Sequence, residues 1–208
     1  MPGSETLLIF TLAALALNIS PGPSNLYVMS RSLAQGTSAG LVASAGMTGS
    51  LVHVVITALG LTAVLKYSPA AFLILKFAGA GYLIFLGLRM LLTKSGPLAP
   101  DALPPKQPLL RIYRQSCLVE ILNPKTALFF LAFLPQFADP HAGALAPQLL
   151  LLGCIVTLTA IPCDAVVAIL SGKAAALLRR RPIFQKLQNW VSGSVLVGLG
   201  ATIALRRD

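Results

Sequence analysis

Four ionisable side chains lie inside apolar stretches of the chain, where an isolated charge is unfavourable. They are His53, Glu120, Lys125 and Asp164. A charged side chain in a bilayer costs about 2.5–3.5 kcal/mol on insertion scales, so such groups face a protein interior, pair with each other or bind a ligand. An ammonium can hold a carboxylate, while a carboxyl group or an imidazole can take up and release a proton. The set therefore suits a zwitterionic ligand and proton transfer.

Two proline motifs interrupt the same apolar stretches. One is Asn18-Ile19-Ser20-Pro21-Gly22-Pro23-Ser24-Asn25, and the other is Asn123-Pro124-Lys125. Proline lacks a backbone N–H and glycine is permissive, so each motif predicts a broken helix. Broken backbone at membrane depth presents carbonyls on one side and N–H groups on the other, which suits a zwitterion or an ion. The predicted substrate-binding residues are Asn18, Ser20, Pro21, Gly22, Pro23, Ser24, Asn25, Asn123, Pro124 and Lys125, although the polar ones could equally satisfy the broken backbone.

Lys125 lies near the middle of its apolar stretch, too far from either edge for its ammonium to reach water comfortably. We therefore expect an anionic partner, which is either a substrate carboxylate or one of Glu120 and Asp164. For proton coupling, the order of preference is Asp164 and then His53, with Glu120 as a further candidate. Each of the three could instead be structural: His53 as a core histidine, and either carboxylate as the partner of a nearby cation.

The composition indicates an integral membrane protein. Hydrophobic residues make up 56% of the chain and charged residues only 11%, and the mean hydropathy is +0.80. Soluble domains carry about 25% charged residues. The net charge of +10 does not indicate nucleic-acid binding, because most basic residues lie in short stretches between apolar runs. The three cysteines form no C-x-x-C pair, so we expect buried, inert thiols and no metal site or cofactor.

Six apolar segments are long enough to cross a bilayer: 5–33, 39–65, 69–92, 115–138, 144–171 and 184–205. We predict an all-α fold whose first and fourth spans are broken by proline. Pro21 and Pro124 are 103 residues apart, and the third and sixth segments resemble one another, so residues 1–92 and 109–208 form two repeats. Three spans per repeat is an odd number, so the repeats are inverted. Residues 93–108, rich in proline and glycine, link them.

The distribution of basic residues predicts the orientation. With six spans, one side carries eleven Lys and Arg residues: Arg31, Arg89, Lys94, Lys106, Arg111, Arg114, Lys173, Arg179, Arg180, Arg181 and Lys186. The opposite side carries four: Lys66, Lys76, Arg206 and Arg207. The richer side, with the linker, is then cytoplasmic, and both termini lie outside. A re-entrant first segment would instead leave the N-terminus inside.

The motifs resemble a known family over essentially the whole chain. The matching stretches are Asn18-Ile19-Ser20-Pro21-Gly22-Pro23, Gln35-Gly36-Thr37-Ser38-Ala39-Gly40-Leu41, Gly79-Ala80-Gly81-Tyr82-Leu83 and Leu122-Asn123-Pro124-Lys125-Thr126-Ala127-Leu128-Phe129-Phe130. They are similar to the lysine exporter (LysE/RhtB-type) family. The resemblance implies a bacterial inner-membrane translocator, not an enzyme, that exports amino acids or related metabolites and uses the proton gradient. A homo-oligomer is possible in such a protein.

Two other functional classes stay open on the residues alone. One is a membrane-embedded thiol redox carrier or enzyme, and the other is a metal or cation exporter. Both would depend on cysteine or histidine side chains, whereas the amino-acid exporter depends on the two proline motifs and the buried charges.

The orientation can be tested by accessibility. Cysteines introduced at Ser95 and Arg180 should resist an impermeant thiol reagent in intact cells, because both positions are expected in the cytoplasm. Both should react once the cells are permeabilised, which is the control. Ready labelling of both in intact cells would contradict the predicted topology.

Overall fold

The computed structural model describes residues 2–20, 22–61, 69–92 and 104–173, with single positions 190, 194, 197, 198, 200, 201, 204 and 205. Every regular element in this part of the chain is helical. Pro21, residues 93–103 of the linker, residues 179–181 and most of the sixth apolar segment lie outside the described residues. The predictions for them therefore stay predictions.

Both proline motifs break a helix, as predicted. Helix α1 (Ser4–Ile19) and helix α2 (Pro23–Gln35) meet at an angle of 50°. Helix α5 (Leu109–Ile121) and helix α6 (Pro124–Phe137) meet at 43°. Pro23 and Pro124 each occupy the first helical position, where the missing N–H is no loss and the fixed φ favours the helix. The prolines therefore end one half-helix and begin the next.

Three further helices complete the described bundle: α3 (Thr37–Gly60), α4 (Pro69–Leu92) and α7 (Leu145–Lys173). Helices α3 and α7 are long and apolar enough to cross a membrane, and each bent pair passes the same test as one broken span. The described residues thus hold two to four candidate spans. Helix α5 begins at Leu109, six residues before the predicted fourth segment. Because the first turns of α5 are polar, the hydropathy pattern did not mark where the helix begins.

The small residues of α3 pack against α5. A Cβ on Gly49 would lie 2.6 Å from the backbone oxygen of Cys117, and a Cβ on Gly46 would collide with Ser116. The small-residue face of α3 is thus buried against another helix, because only glycine permits such an approach. The outward faces are apolar: Leu12 on α1, Ile56 on α3 and Leu158 on α7 are more than half exposed.

Two apolar clusters form the interior. The aromatic cluster includes Phe10, Leu17, Phe129, Phe130 and Phe133, with neighbours from α7. The second cluster includes Val28, Ala39, Ala43, Met47, Ile112, Ala160 and Ala168. The aromatic cluster is built largely on α1, α6 and α7, and the second on α2, α3, α5 and α7. The breaks between the half-helices therefore lie between the two clusters.

The close contact between α3 and α5 leads to a stability prediction. Gly49→Ala should destabilise the protein by about 1–3 kcal/mol, because the added methyl group meets backbone that cannot rotate away. The matched control is Gly60→Ala on the same helix, where a Cβ meets nothing within 4 Å. The measurement is thermal unfolding in detergent together with abundance in the membrane. Equal stability of the two variants would contradict the packing.

Candidate functional site

The two helix breaks meet around one buried cavity. Its lining residues come from α1, α2, α3, α5, α6, α7 and the α5–α6 break: Leu17, Asn18, Ser24, Asn25, Met47, Glu120, Asn123, Lys125, Thr126, Ala160 and Asp164. Five of the predicted substrate-binding residues are thus brought together with two of the predicted proton-coupling residues, from sequence positions more than a hundred residues apart. Ser20 is buried beside this cavity without lining it.

Lys125 is bound to the end of the opposite half-helix. Its Nζ donates hydrogen bonds to Ser20 O at 2.6 Å and to Leu17 O at 3.1 Å, and only 5% of the residue is exposed. The last carbonyls of a helix lack intrahelical donors and carry the negative end of the helix dipole. Backbone carbonyls, and not the carboxyl groups of Glu120 or Asp164, accept the hydrogen bonds of Lys125. Two of the three ammonium N–H groups are used.

The close approach of Lys125 explains the glycine between the two prolines of the first motif. A Cβ on Gly22 would lie 3.0 Å from both Cε and Nζ of Lys125. A larger side chain at position 22 would displace the lysine from the carbonyls of α1. The glycine is thus needed for space as well as for the break.

Glu120 is held by neutral donors from both breaks. Ser24 Oγ donates to Glu120 Oε2, and Asn123 Nδ2 donates to the same oxygen at 3.2 Å and to Ser24 Oγ at 3.0 Å. The Oδ1 atom of Asn123 also caps α6 by accepting from Lys125 N at 3.1 Å. One asparagine therefore fixes the start of α6 and orients the carboxyl group of Glu120.

Asp164 faces the first break from α7. Its Oδ1 accepts from Asn25 Nδ2 at 2.5 Å, and the same nitrogen lies 3.1 Å from Asn18 O. Asn18 Nδ2 in turn donates to Thr159 Oγ1 at 3.0 Å on α7. A stripe of small and polar residues around Asp164 on α7 is buried. Its members are at most 8% exposed: Thr157, Ala160, Asp164, Ala168 and Ser171.

His53 lies behind the cavity and does not line it. The residue is buried, its Nε2 is 3.3 Å from Glu120 O, and its ring packs 5.8 Å from the Phe130 ring centre. Both partners suit a core histidine that joins α3 to the α5–α6 break. Its position beside the backbone of Glu120 still links it to the site.

The cavity is small in this structure. Its volume is about 20 Å³, which is room for about one water molecule. An amino acid would enter only after the surrounding half-helices separate.

Comparisons with known proteins identify the family. The family model described as LysE type translocator matches residues 15–207. The chain belongs to the LysE type translocator family. It is 34% identical over 203 residues to the homoserine/homoserine lactone efflux protein of Salmonella typhimurium, with 95% of each chain covered. It is 28% identical over 204 residues to the leucine efflux protein of Klebsiella pneumoniae, covering 97% of this chain and 96% of the relative.

A further relative is an uncharacterized membrane protein of Vibrio cholerae, 31% identical over 201 residues, with 95% of each chain covered. No solved structure matches the chain. The family agrees with the resemblance found from the proline motifs, and the chain is a membrane translocator by family.

Sequence reasoning missed part of the lining of this translocator site. Leu17, Met47, Thr126 and Ala160 line the cavity but belong to unremarkable apolar or helical patterns. Met47 could have been suspected, because it lies on the helix that carries the buried small-residue face. The backbone carbonyls of Leu17 and Ser20, which bind Lys125, could not be predicted from the type of any side chain.

Two observations on the described residues concern the other functional classes. No group of three or more His, Cys, Asp and Glu side chains among them is placed to hold a metal ion. Cys117, Cys154 and Cys163 are free and partly buried.

The bond between Lys125 and α1 leads to a second stability prediction. Lys125→Met should lower the free energy of unfolding by about 1–3 kcal/mol, because the buried carbonyl of Ser20 loses its donor. Lys106→Met, at an exposed position, is the matched control and should have little effect. Thermal unfolding in detergent is the measurement. A Lys125→Met protein as stable as the control variant would show that the helix-end bond contributes nothing.

Proposed function

We propose that the protein is a secondary transporter that exports amino acids or closely related small metabolites across the bacterial inner membrane in exchange for protons. The main support is the convergence of two broken half-helix pairs on one buried cavity that holds an ammonium and two carboxyl groups. Two relatives over nearly the full length are named for efflux of homoserine or leucine. A zwitterion matches the charges of this cavity.

The substrate carboxylate lies between Lys125 and the start of α2 in this proposal. Lys125 has one N–H left after binding Leu17 and Ser20. Gly22 occupies the cap position of α2 and has no side chain to bond the first-turn N–H groups, so those of Ser24 and Asn25 are open to an anion. Pro23 and Pro124 begin the second half-helices without contacting the substrate through a side chain.

The substrate ammonium and the proton compete for Asp164. The carboxylate of Asp164 holds the ammonium on the way out, and a proton from outside then takes its place and releases the substrate. Because one carboxylate cannot hold both, outward substrate movement and inward proton movement are coupled by exclusion. Asn25 holds Asp164 in position in either state, while Glu120 and His53 are secondary proton sites.

The six-span plan is part of the proposal. The third and sixth segments join α1–α2, α3, α5–α6 and α7 to form inverted repeats 1–92 and 109–208, with residues 93–108 as a cytoplasmic linker. The two bends of 50° and 43° at corresponding prolines support the repeat, as does the length of α4, which has 24 residues. A fully spanning first segment is required for this topology.

Transport in proteoliposomes tests the proposed function. The purified protein should move radiolabelled homoserine, leucine or another amino acid, and an imposed pH gradient should drive uphill movement. Empty vesicles are the control. Failure to move any of a full set of amino acids, with or without the gradient, would refute the proposal.

Asp164→Asn tests the coupling. The variant should lose uphill export but keep part of its exchange or downhill flux, because the substituted amide cannot ionise while its oxygen can still accept from Asn25. Abundance should therefore stay near that of the wild-type protein. Normal uphill export at normal abundance would remove Asp164 from the mechanism.

A further inference from the structure

One face of α2 makes a series of polar contacts with α5. Ser24, Tyr27, Arg31 and Gln35 recur at helical spacing on one face of α2. Tyr27 Oη donates to Gln115 Oε1 at 2.9 Å, and Arg31 Nη2 donates to the same oxygen at 3.3 Å. At the cavity, Ser24 donates to Glu120. This polar seam runs from the cavity to the end of the bundle where α2 ends and α5 begins.

Arg31 is the one residue of the seam that carries a permanent charge. It is only 5% exposed, and its partners in the described chain are neutral: Pro105 O at 3.0 Å, Gln115 Oε1 and the Tyr27 ring, 5.2 Å from its Cζ atom. Its Nε is buried without a hydrogen-bond partner. A buried guanidinium normally pairs with an anion, because its desolvation is costly. Arg31 thus retains a donor and a charge that suit a carboxylate.

Residues 104–108, here called the strap, cover the outer end of the seam. Arg31 Nη1 bonds Pro105 O, Gln35 Nε2 donates to Gln107 O at 2.8 Å, and Gln107 N donates to Gln35 Oε1 at 2.8 Å. The strap therefore ties the end of α2 to the start of α5. The bond that Arg31 donates is the one strap bond with a charged partner, and the other two join neutral groups. Water can replace such bonds at a modest cost in free energy.

The other side of the cavity is different. Phe10, Phe129 and Phe133 pack together there with ring centres 4.7–6.5 Å apart, and all three are at most 3% exposed. Separation of these rings would expose apolar surface to water. Separation of α2 from α5 would expose hydroxyl, amide and guanidinium groups that water solvates. Hydration therefore favours the seam over the aromatic side as a path for a zwitterion.

We propose that the α2–α5 seam is the path by which substrate reaches the cavity from the cytoplasm, with Arg31 binding the substrate carboxylate on the way. The strap covers this path in this structure and releases Arg31 when it lifts. The freed guanidinium presents paired N–H groups that match a carboxylate. The inference rests on the proposed function and on the topology that places this end of the bundle in the cytoplasm.

Kinetics on the two faces of the protein test the role of Arg31. In vesicles of known orientation, Arg31→Gln should raise KM for homoserine or leucine, whichever the wild-type protein carries better, by roughly ten- to a hundredfold on the strap side. This is the loss expected for a charge-assisted hydrogen bond. KM on the opposite face should stay unchanged, which a purely structural role would not explain.

Arg114→Gln is the matched control, because Arg114 lies on α5 near the same end and is exposed. It should leave both KM values unchanged, and Arg31→Lys should give a smaller rise than Arg31→Gln. Equal changes on both faces, or none, would overturn the role of Arg31.

Cross-linking the strap keeps the inference testable if Arg31 variants do not fold. Gln35→Cys and Gln107→Cys together, joined by a short reducible thiol reagent, should block transport, and reduction should restore it. Wild-type protein treated in the same way is the control for Cys117, Cys154 and Cys163. Full transport by the linked protein would overturn the path. If the untreated wild-type protein transports no amino acid, the proposed function is refuted, and this inference with it.

Discussion

The ammonium of Lys125 on the carbonyl end of α1 is the interaction on which the site depends. A helix that ends inside a membrane protein leaves carbonyls that neither water nor lipid can satisfy there. Lys125 supplies the donors from the start of α6, and its charge meets the negative end of the helix dipole. The first break is therefore stabilised by a residue of the second. Each half of the chain completes the other.

The reverse connection involves the acceptors of the second break. Glu120 and Asn123 bind Ser24 at the start of α2, and Asp164 on α7 binds Asn25. These bonds keep two carboxyl groups close to the first break without a direct ion pair to Lys125. Neutral donors hold a carboxylate in place while leaving its charge available to a cationic ligand. An ion pair between Lys125 and either acid would have cancelled the charges that a zwitterion needs.

The polar site lies between two apolar clusters of different character. On the side of α1 and α6, aromatic rings fill the space beyond the cavity. On the side of α2 and α5, the two half-helices meet through hydroxyl, amide and guanidinium groups. The two sides of the cavity thus have unlike contacts. Any cycle that opens the sides in turn must break aromatic packing on one side and hydrogen bonds on the other.

Much of this structure could be predicted from the sequence, because it depends on residues that are close together in the chain. Proline lacks a backbone N–H and glycine is permissive, so the two motifs made the breaks after Ile19 and before Pro124 predictable. The small residues of α3 and the stripe around Asp164 follow helical periodicity, so their burial was predictable as well. Three of the four ionisable residues in the apolar runs, Glu120, Lys125 and Asp164, line the cavity, because a charge in an apolar run must face the interior.

The tertiary structure decided which partner each of these groups takes. Sequence reasoning predicted an anionic partner for Lys125. The backbone carbonyls that bind it could not be predicted, because every residue carries a carbonyl and no residue type marks the ones used. The start of α5 at Leu109 was missed because its first turns are polar. Met47, Ala160 and Arg31 owe their positions to the way in which α2, α3, α5 and α7 pack. Helical breaks are set by neighbours in the chain, whereas hydrogen-bond partners are set by residues a hundred positions away, and only the packed bundle determines which of those meet.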